Sequence, residues 1–263
     1  MKIISLNVGI KIDNSKKVGD FIKSQDPDFV ALQEVIRHLD DSVYKMYRSK
    51  SDIERVISKK MPYYFFGPQW ITNAMIMGGK MHRDFNGYVE QGNEIISKYP
   101  IVTATNEHYY KKYSLELEWN KFYTEDHPRS MIVVEYKLKN RKLQIINLHG
   151  LYSRNKKDSE KTINQTKFIL EVVKRKKIPT IIVGDFNLFP ETKSIKMLDK
   201  KFRNLIKENK IKSTRPKFND GTDKGENVVD YIFINDQIKV NKFEVFNTTI
   251  SDHLPLILDF DIK

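Results

Sequence analysis

The sequence predicts an α/β protein, and three observations carry that reading. Short runs dense in β-branched and aromatic residues recur along the 263-residue chain, as strands buried on both faces do. Stretches with apolar residues three and four apart lie between several of them, as amphipathic helices require. Many of the strand-like runs also end or begin on an acid, an amide or an imidazole. Ligands of α/β sheets gather at the C-terminal ends of strands. The third observation therefore concerns function as well as fold.

The first strand is Lys2 to Val8, with Asn7 near its C-terminal end. Val18, Phe21 and Ile22 have helical spacing, and Pro27 ends that helix. Phe29 to Val35 is a second buried strand with Glu34 near its end. A Glu inside an apolar run is rarely unpaired, because burying a lone carboxylate is costly. A salt bridge to a neighbour is the lesser alternative. Residues 37–90 are the least patterned: Tyr44, Tyr47, Tyr63, Tyr64, Phe65, Phe66 and Trp70 stand among basic side chains, with Met75, Met77 and Met81 around Gly78-Gly79. The expectation is a helix and a hairpin that place these aromatics in the core; stacking on nucleic-acid bases is the alternative.

Asn93 to Ile101 reads as a strand followed by a turn at Pro100, and residues 106–128 as a projecting loop or ribbon. Arg129 to Leu138 and Leu143 to Gly150 are strands joined by a turn at Asn140-Arg141, the second ending on His149. Ile163, Ile169, Leu170, Val172 and Val173 mark a helix that ends in Lys174, Arg175, Lys176 and Lys177, which suits its dipole. Thr180 to Val183 then runs into Gly184, Asp185, Phe186 and Asn187. Alternation along a strand puts Asp185 and Asn187 on one side, although both are also habitual turn residues. Ile195, Leu198, Phe202 and Leu205 predict a second amphipathic helix, and residues 213–227 a loop. Val228 to Ile234 is a strand carrying Asp230, Ile238 to Thr249 an edge strand, and Asp252 and His253 precede a last strand ending near Phe260. No linker or low-complexity tract divides the chain, so residues 1–263 are expected to form one domain.

The bulk numbers narrow the class. Hydrophobic content of 40% and charge of 30% describe a globular chain, not a disordered one. With no Cys, disulfides, zinc thiolates and Cys nucleophiles are excluded, and a cytoplasmic setting fits. No apolar run approaches the roughly 20 residues of a membrane span, and the first residues are too strand-like for a signal peptide. Net charge of +12 points to a polyanionic partner such as nucleic acid or an anionic membrane; solvated surface lysines are the plain alternative.

Asn7, Glu34, His149, Asp185, Asn187, Asp230, Asp252 and His253 thus all stand at strand termini, as a shared cleft requires. Carboxylates, carboxamides and imidazoles without thiols make an oxygen-rich site, better suited to Mg2+ or Mn2+ than to zinc. That inventory matches phosphate-ester hydrolysis: a divalent ion polarises the phosphoryl oxygen while a carboxylate–His pair activates water.

These motifs resemble those of the endonuclease/exonuclease/phosphatase superfamily. They fall in the right order across nearly the whole chain: Ser5-Leu6-Asn7-Val8, Leu32-Gln33-Glu34-Val35, Asn147-Leu148-His149, Gly184-Asp185-Phe186-Asn187, Val229-Asp230-Tyr231-Ile232 and Ser251-Asp252-His253-Leu254-Pro255. The resemblance implies a four-layer α/β sandwich, two mixed β-sheets face to face with helices outside. It implies Glu34 as the principal metal ligand, with Asn7 and Asp252 close to the ion. Asp185 would orient or deprotonate the attacking water, Asn187 would hold a phosphate oxygen, and His253, paired with Asp230, would contact the scissile phosphate. His149 would be the second imidazole and Arg129 a further phosphate contact. Abasic-site endonucleases of the family carry an acid where this chain has Gly9 and a Tyr where it has His149, which argues against that specialisation. His38, His82, His108 and His127 match no motif and are read as surface or structural residues.

The expected activity is that of a metal-dependent phosphodiesterase acting on DNA or RNA as a monomer. The alternative is a phosphodiesterase or phosphatase acting on a lipid head group or small phosphate ester, with residues 61–88 facing an apolar substrate. An inert binding module of the same fold is disfavoured, because every expected polar position is filled.

Overall fold

The computed structural model describes residues 1–9, 15–39, 49–73, 87–115, 126–153, 155–216 and 227–263. In chain order the elements are β1 (Lys2–Asn7), α1 (Ser15–Gln25), β2 (Phe29–His38), α2 (Ser49–Ile57), β3 (Tyr63–Asn73), β4 (Tyr88–Ser97), β5 (Ile101–Tyr110), β6 (Arg129–Leu138), β7 (Arg141–His149), α3 (Glu160–Lys174), β8 (Thr180–Asp185), α4 (Lys193–Asp199), β9 (Arg203–Asn204), α5 (Leu205–Glu208), β10 (Asp230–Ile234), β11 (Ile238–Val245) and β12 (Leu256–Ile262). They build two six-stranded sheets, in the orders β11-β12-β1-β2-β4-β3 and β5-β6-β7-β8-β10-β9.

Each sheet holds one parallel pair among antiparallel neighbours: β1 with β2, and β7 with β8. A parallel pair needs a crossover, and α1 and α3 supply them. The topology is therefore of one kind in both sheets, a four-layer α/β sandwich of two mixed sheets with helices outside.

Side-chain alternation divides the core in two. Phe29, Ala31 and Ile95 point towards the second sheet and pack with Ile132, Val134, Ile145 and Tyr136. Their neighbours Val30, Leu32 and Ile96 point the other way, onto Val18 and Ile22 of α1 and Ile53 and Ile57 of α2. Ile169 and Val172 of α3 and Ile195 and Leu198 of α4 cover the second sheet. Burying each such side chain contributes roughly 1.5–3 kcal/mol.

Polar side chains also cross the sheet interface. Gln33 Nε2 donates to Asn147 Oδ1 at 2.7 Å, and Asn147 Nδ2 donates to the carbonyls of Leu32 and Glu94 at 2.9 Å each. Asn93 and Gln69 both donate to the Ser130 carbonyl.

Most elements match the sequence reading, and two do not. Residues 106–110 are not a projecting ribbon but the end of β5, paired with β6. The apolar spacing from Ile195 to Leu205 is not one helix: α4 stops at Asp199, a two-residue strand pairs with β10, and α5 restarts at Leu205. Asn204 explains the break, since its side chain caps α5 by accepting from the amides of Ile206 and Lys207. Tyr44, Tyr47, Met75, Met77, Met81, the Gly78-Gly79 pair and His82 lie outside the described residues. The helix and hairpin expected over 37–90 are α2 and the β3–β4 pair, but of the described aromatics expected in the core only Trp70 is buried, against His127; Phe65 and Phe66 are partly buried, and Tyr63 and Tyr64, at the outer start of β3, are exposed.

One ionisable group lies deep in this framework. Glu94 of β4 is fully buried, and Lys50 Nζ of α2 lies 3.1 Å from its Oε1. Burial outweighs the attraction of Lys50 and pushes the Glu94 carboxyl up to about 8. At pH 6–7 the folded chain therefore keeps a proton on Glu94 that the unfolded chain has lost. Stability is fullest below the ordinary glutamate range and falls as pH rises towards 8, because the unfolded state binds fewer protons there. Melting temperature measured from pH 5 to 9 should show this fall, and Glu94→Gln should flatten it; an unchanged slope in Glu94→Gln rules out this origin.

Candidate active site at the seam of the two sheets

The topology explains why the polar strand ends meet. β1, β2, β7 and β8 run towards one rim of the sandwich, where Asn7, Glu34, His149 and Asp185 stand at or near their ends. β10 is antiparallel to β8 and starts at that rim, with Asp230 directly opposite Asp185. Asp252 and His253 arrive just before β12, which is antiparallel to β1.

Two backbone irregularities aim the side chains. Glu34 sits in a bulge of β2 between Leu32 and Val35 with φ +56°, so the strand continues past it to His38. Asn187 does not continue the alternation of β8, which ends at Asp185. It has φ +56° and closes a turn in which its own amide donates to Asp185 Oδ1 at 2.7 Å. Left-handed backbone at non-glycine residues costs on the order of 1 kcal/mol each and clusters at functional sites. Turn and site here are the same structure.

Asn7 joins the sheets: its Nδ2 donates to Glu34 Oε1 at 3.2 Å and to Asp185 Oδ2 at 3.1 Å. Asp185 Oδ2 also lies 3.6 Å from His253 Nε2 and 3.8 Å from His149 Nε2, and His149 Nε2 is 3.6 Å from Glu34 Oε1. His253 Nδ1 faces both oxygens of Asp230 at 2.9 and 3.0 Å. Asp230 is held in turn by the Thr214 hydroxyl at 2.6 Å. One donor atom each from Asp185, Asp230 and His253 lies within 4.8 Å of the other two. Asn7, Glu34, His149, Asp185, Asn187, Asp230 and His253 are thus brought together. Asp252 stands at the rim, half exposed, and Arg129 lies buried behind the cluster, donating to Gln69 Oε1 at 3.4 Å.

The protonation pattern follows from the packing. Burial opposes charge on His253, but Asp230 and Asp185 outweigh it and raise the imidazole to about 9. Burial likewise opposes charge on Asp185, yet the cationic His253, with Lys156, holds its carboxyl below the usual range. His149 is driven well down, first by burial and then by the charge of Arg129. At neutral pH the site therefore presents an anionic Asp185, a cationic His253 and a neutral His149. Glu34 is raised by its surroundings and then by the charge of Asp252. Two carboxylates repelling each other across a set of oxygen donors fit a divalent cation.

Four contributors escaped the sequence reading. Thr214 bonds Asp230, the Tyr109 hydroxyl donates to the His149 carbonyl at 2.7 Å, Lys156 donates to Asn187 Oδ1, and Arg215 pairs with Asp252 at 3.0 Å. The two cations stand in ordinary-looking loops among other lysines and arginines. Of the remaining histidines, His127 stacks on Trp70 and His108 meets the Gln69 carbonyl at 3.4 Å, both away from the cluster.

Comparison with protein-family models matches residues 4–253 to the Endonuclease/Exonuclease/phosphatase family. The chain belongs to that family. Membership makes it a phosphoesterase, and enzymes of this family depend on a divalent metal. No curated protein matches the sequence. Solved structures share the fold at low identity. An endonuclease/exonuclease/phosphatase from Beutenbergia cavernae has a TM-score of 0.72 at 14% identity, over 100% of this chain and 71% of that one. The mannosyl-6-phosphatase Bt3783 of Bacteroides thetaiotaomicron gives 0.68 at 16%, over 100% of both chains. The human Nocturnin catalytic domain, solved with a bound sulfate anion, gives 0.67 at 17%, over 100% of this chain and 93% of that one.

In this member of the endonuclease/exonuclease/phosphatase family, two glycines lock the rim. Gly9, with φ +70°, donates to Asn7 Oδ1, and a Cβ there would lie 2.8 Å from Asp252 Oδ1. A side chain here would have to displace the end of Asp252 and take up a left-handed backbone, which disfavours an acid at this position. Gly184, with φ +138°, brings β8 so close to β7 that a Cβ would lie 1.9 Å from the Leu148 carbonyl oxygen. Gly184→Ala should therefore lower stability by about 3 kcal/mol or more. Urea unfolding measures it, and a loss below 1 kcal/mol would show that the β7–β8 contact is not tight.

Proposed function

We propose that the chain is a divalent-metal-dependent phosphodiesterase acting on nucleic acid, built as one domain over residues 1–263. The observation that carries the chemistry is Asp185, kept anionic between two imidazoles and anchored by Asn7. A buried carboxylate of this kind can orient a water and accept its proton. His253 is the phosphate contact: Asp230 holds its Nδ1, leaving a cationic Nε2–H for a phosphoryl oxygen. Asn187 and His149 supply neutral donors to the same group, and Arg129 adds positive charge behind it.

Glu34, Asn7 and Asp252 are the oxygen donors that would hold Mg2+ or Mn2+, a hard set without thiols. When bound, the ion polarises the phosphoryl oxygen and offsets the repulsion between the carboxylates. Asp185, Asp230 and His253 have donor atoms within 4.8 Å of one another, but His253 Nδ1 and Asp185 Oδ1 are already engaged, which fits them better to proton handling.

The net charge of +12 supports nucleic acid as the substrate. Plasmid, single strands, an abasic duplex, sphingomyelin and inositol phosphates, each with Mg2+ or Mn2+, form the deciding panel. Cleavage of nucleic acid is expected, abolished by excess chelator. KM should rise steeply with salt, each neutralised phosphate contributing about 0.9 to the log–log slope. Turnover confined to a lipid or small ester, with a flat salt response, would replace the nuclease reading.

Asp185 and His253 serve one step, so their losses should overlap. Asp185→Asn and His253→Ala are each expected to lower turnover by about 10²-fold or more. The double variant should be far less impaired than the product of the two. Turnover per folded molecule, with melting temperature alongside, measures this; normal turnover in Asp185→Asn would end the mechanism.

A further inference from the structure

Two cations reach the site without a part in binding phosphate in the reading above. Lys156 Nζ donates to Asn187 Oδ1 and lies 4.4 Å from the Tyr152 ring centroid, and among the described residues no carboxylate is recorded within 4.0 Å of it. A partly buried ammonium satisfied by an amide oxygen keeps its charge available to an anion. Arg215 follows Thr214, whose hydroxyl fixes Asp230, so its backbone is tied to the site. Its Nη2 lies 3.0 Å from Asp252 Oδ2, and its Nη1 crowds His253 Nε2, where two N–H groups of like charge oppose each other. Burial first, and then the charge of Arg215 against the pull of Asp185, lowers the Lys156 ammonium.

The position of Arg215 conflicts with an occupied site. With His253 Nδ1 committed to Asp230, Nε2 is the ring nitrogen left for substrate, and Arg215 covers it. Asp252, a donor in the proposed metal set, is engaged by the same guanidinium. Yet the ion pair is half exposed and screened, so its hold is weak. The planar fork of an arginine matches two phosphoryl oxygens better than it matches one carboxylate oxygen and one imidazole.

We propose that Arg215 is a phosphate latch. Without substrate its guanidinium closes on Asp252 and covers His253 Nε2, whose like charge opposes it. When a phosphoryl group arrives, the fork turns to the non-bridging oxygens, frees His253 Nε2 and releases Asp252, while Lys156 meets the same group from the Asn187 side. The latch rests on the phosphoesterase reading of this site, but it makes equilibrium predictions that need no turnover.

Calorimetric titration with inorganic phosphate in the presence of Mn2+, and separately with Mn2+ alone, tests it on the whole chain. Arg215→Met should weaken phosphate binding roughly tenfold or more, as expected for losing a charged donor. The same change should tighten Mn2+ binding, because Asp252 is no longer shared. Arg215→Lys, which keeps the charge without the fork, should fall between wild type and Arg215→Met for phosphate. Circular dichroism melting verifies that both variants fold. Opposite shifts in the two affinities support the latch. Unchanged phosphate binding, unchanged Mn2+ affinity, or a wild type that binds no phosphate overturns it. A chain that binds phosphate through Arg215 but hydrolyses no ester would sink the phosphoesterase function and leave the latch standing.

Discussion

The site depends on one carboxamide. Asn7 ends the first strand of one sheet, and its Nδ2 bonds both Glu34 of that sheet and Asp185 of the other. Its remaining polar groups are also engaged, Oδ1 by the Gly9 amide and the backbone carbonyl by the Ser251 hydroxyl. One residue thereby sets the distance between two carboxylates and the segment that delivers Asp252 and His253. A sandwich of two sheets can slide at its interface, because hydrophobic contact is non-directional. Hydrogen bonds are directional, and the buried bonds from Gln33 to Asn147, and from Asn147 to Leu32 and Glu94, hold the register a few residues behind the site. Each contributes about 0.5–1.5 kcal/mol net. Their larger consequence is that misalignment would leave buried amides unpaired.

The electrostatics follow from this placement. Four carboxylates at one rim would repel one another, and the chain offsets them unequally. Asp185 has two imidazoles and Lys156 near it, Asp230 has His253 and Thr214, and Asp252 has Arg215. Glu34 receives Asn7 and a distant His149, and its carboxyl is pushed up. The least compensated carboxylate is where added positive charge stabilises most. That favours a cation near Glu34, although burial pushes up the Asp230 carboxyl as well.

Much of this was legible in the sequence, because strands buried on both faces write themselves as apolar runs and their polar ends stand out. Asn7, Glu34, His149, Asp185 and Asp230 were visible for that reason. The register between the sheets was not, since Gln33, Asn147 and Asn93 are long-range partners with no local pattern. The β5 segment at residues 106–110 read as a ribbon because its burial is partial, so apolar alternation is weak there. The apolar spacing from Ile195 to Leu205 read as one helix because period alone cannot see a cap; Asn204 wins locally by bonding two amides. Lys156 and Arg215 were invisible for a different reason. In a chain with 46 basic residues, nothing in sequence separates a cation that enters the cleft from one that faces water.

The repeated topology adds a last step. A parallel pair with its crossover helix has its polar strand ends on one rim, and this chain has two such pairs, β1–β2 and β7–β8. Opposed face to face, they bring Asn7 and Glu34 from one sheet against His149 and Asp185 from the other. The first pair contributes an amide and an acid, suited to holding a cation, and the second an imidazole and an acid, suited to handling a proton. Asp230 enters beside Asp185 as its direct cross-strand neighbour, and His253 reaches both. On the proposed roles, the first sheet mainly holds the ion and the second the acid that takes the proton, with His253 reaching across from the segment before β12, and the two Asn7 bonds join the sheets there. A change that shifts the seam would therefore impair the chemistry and cost stability together, because the same shift unpairs the buried amides between the sheets and disturbs their shared core.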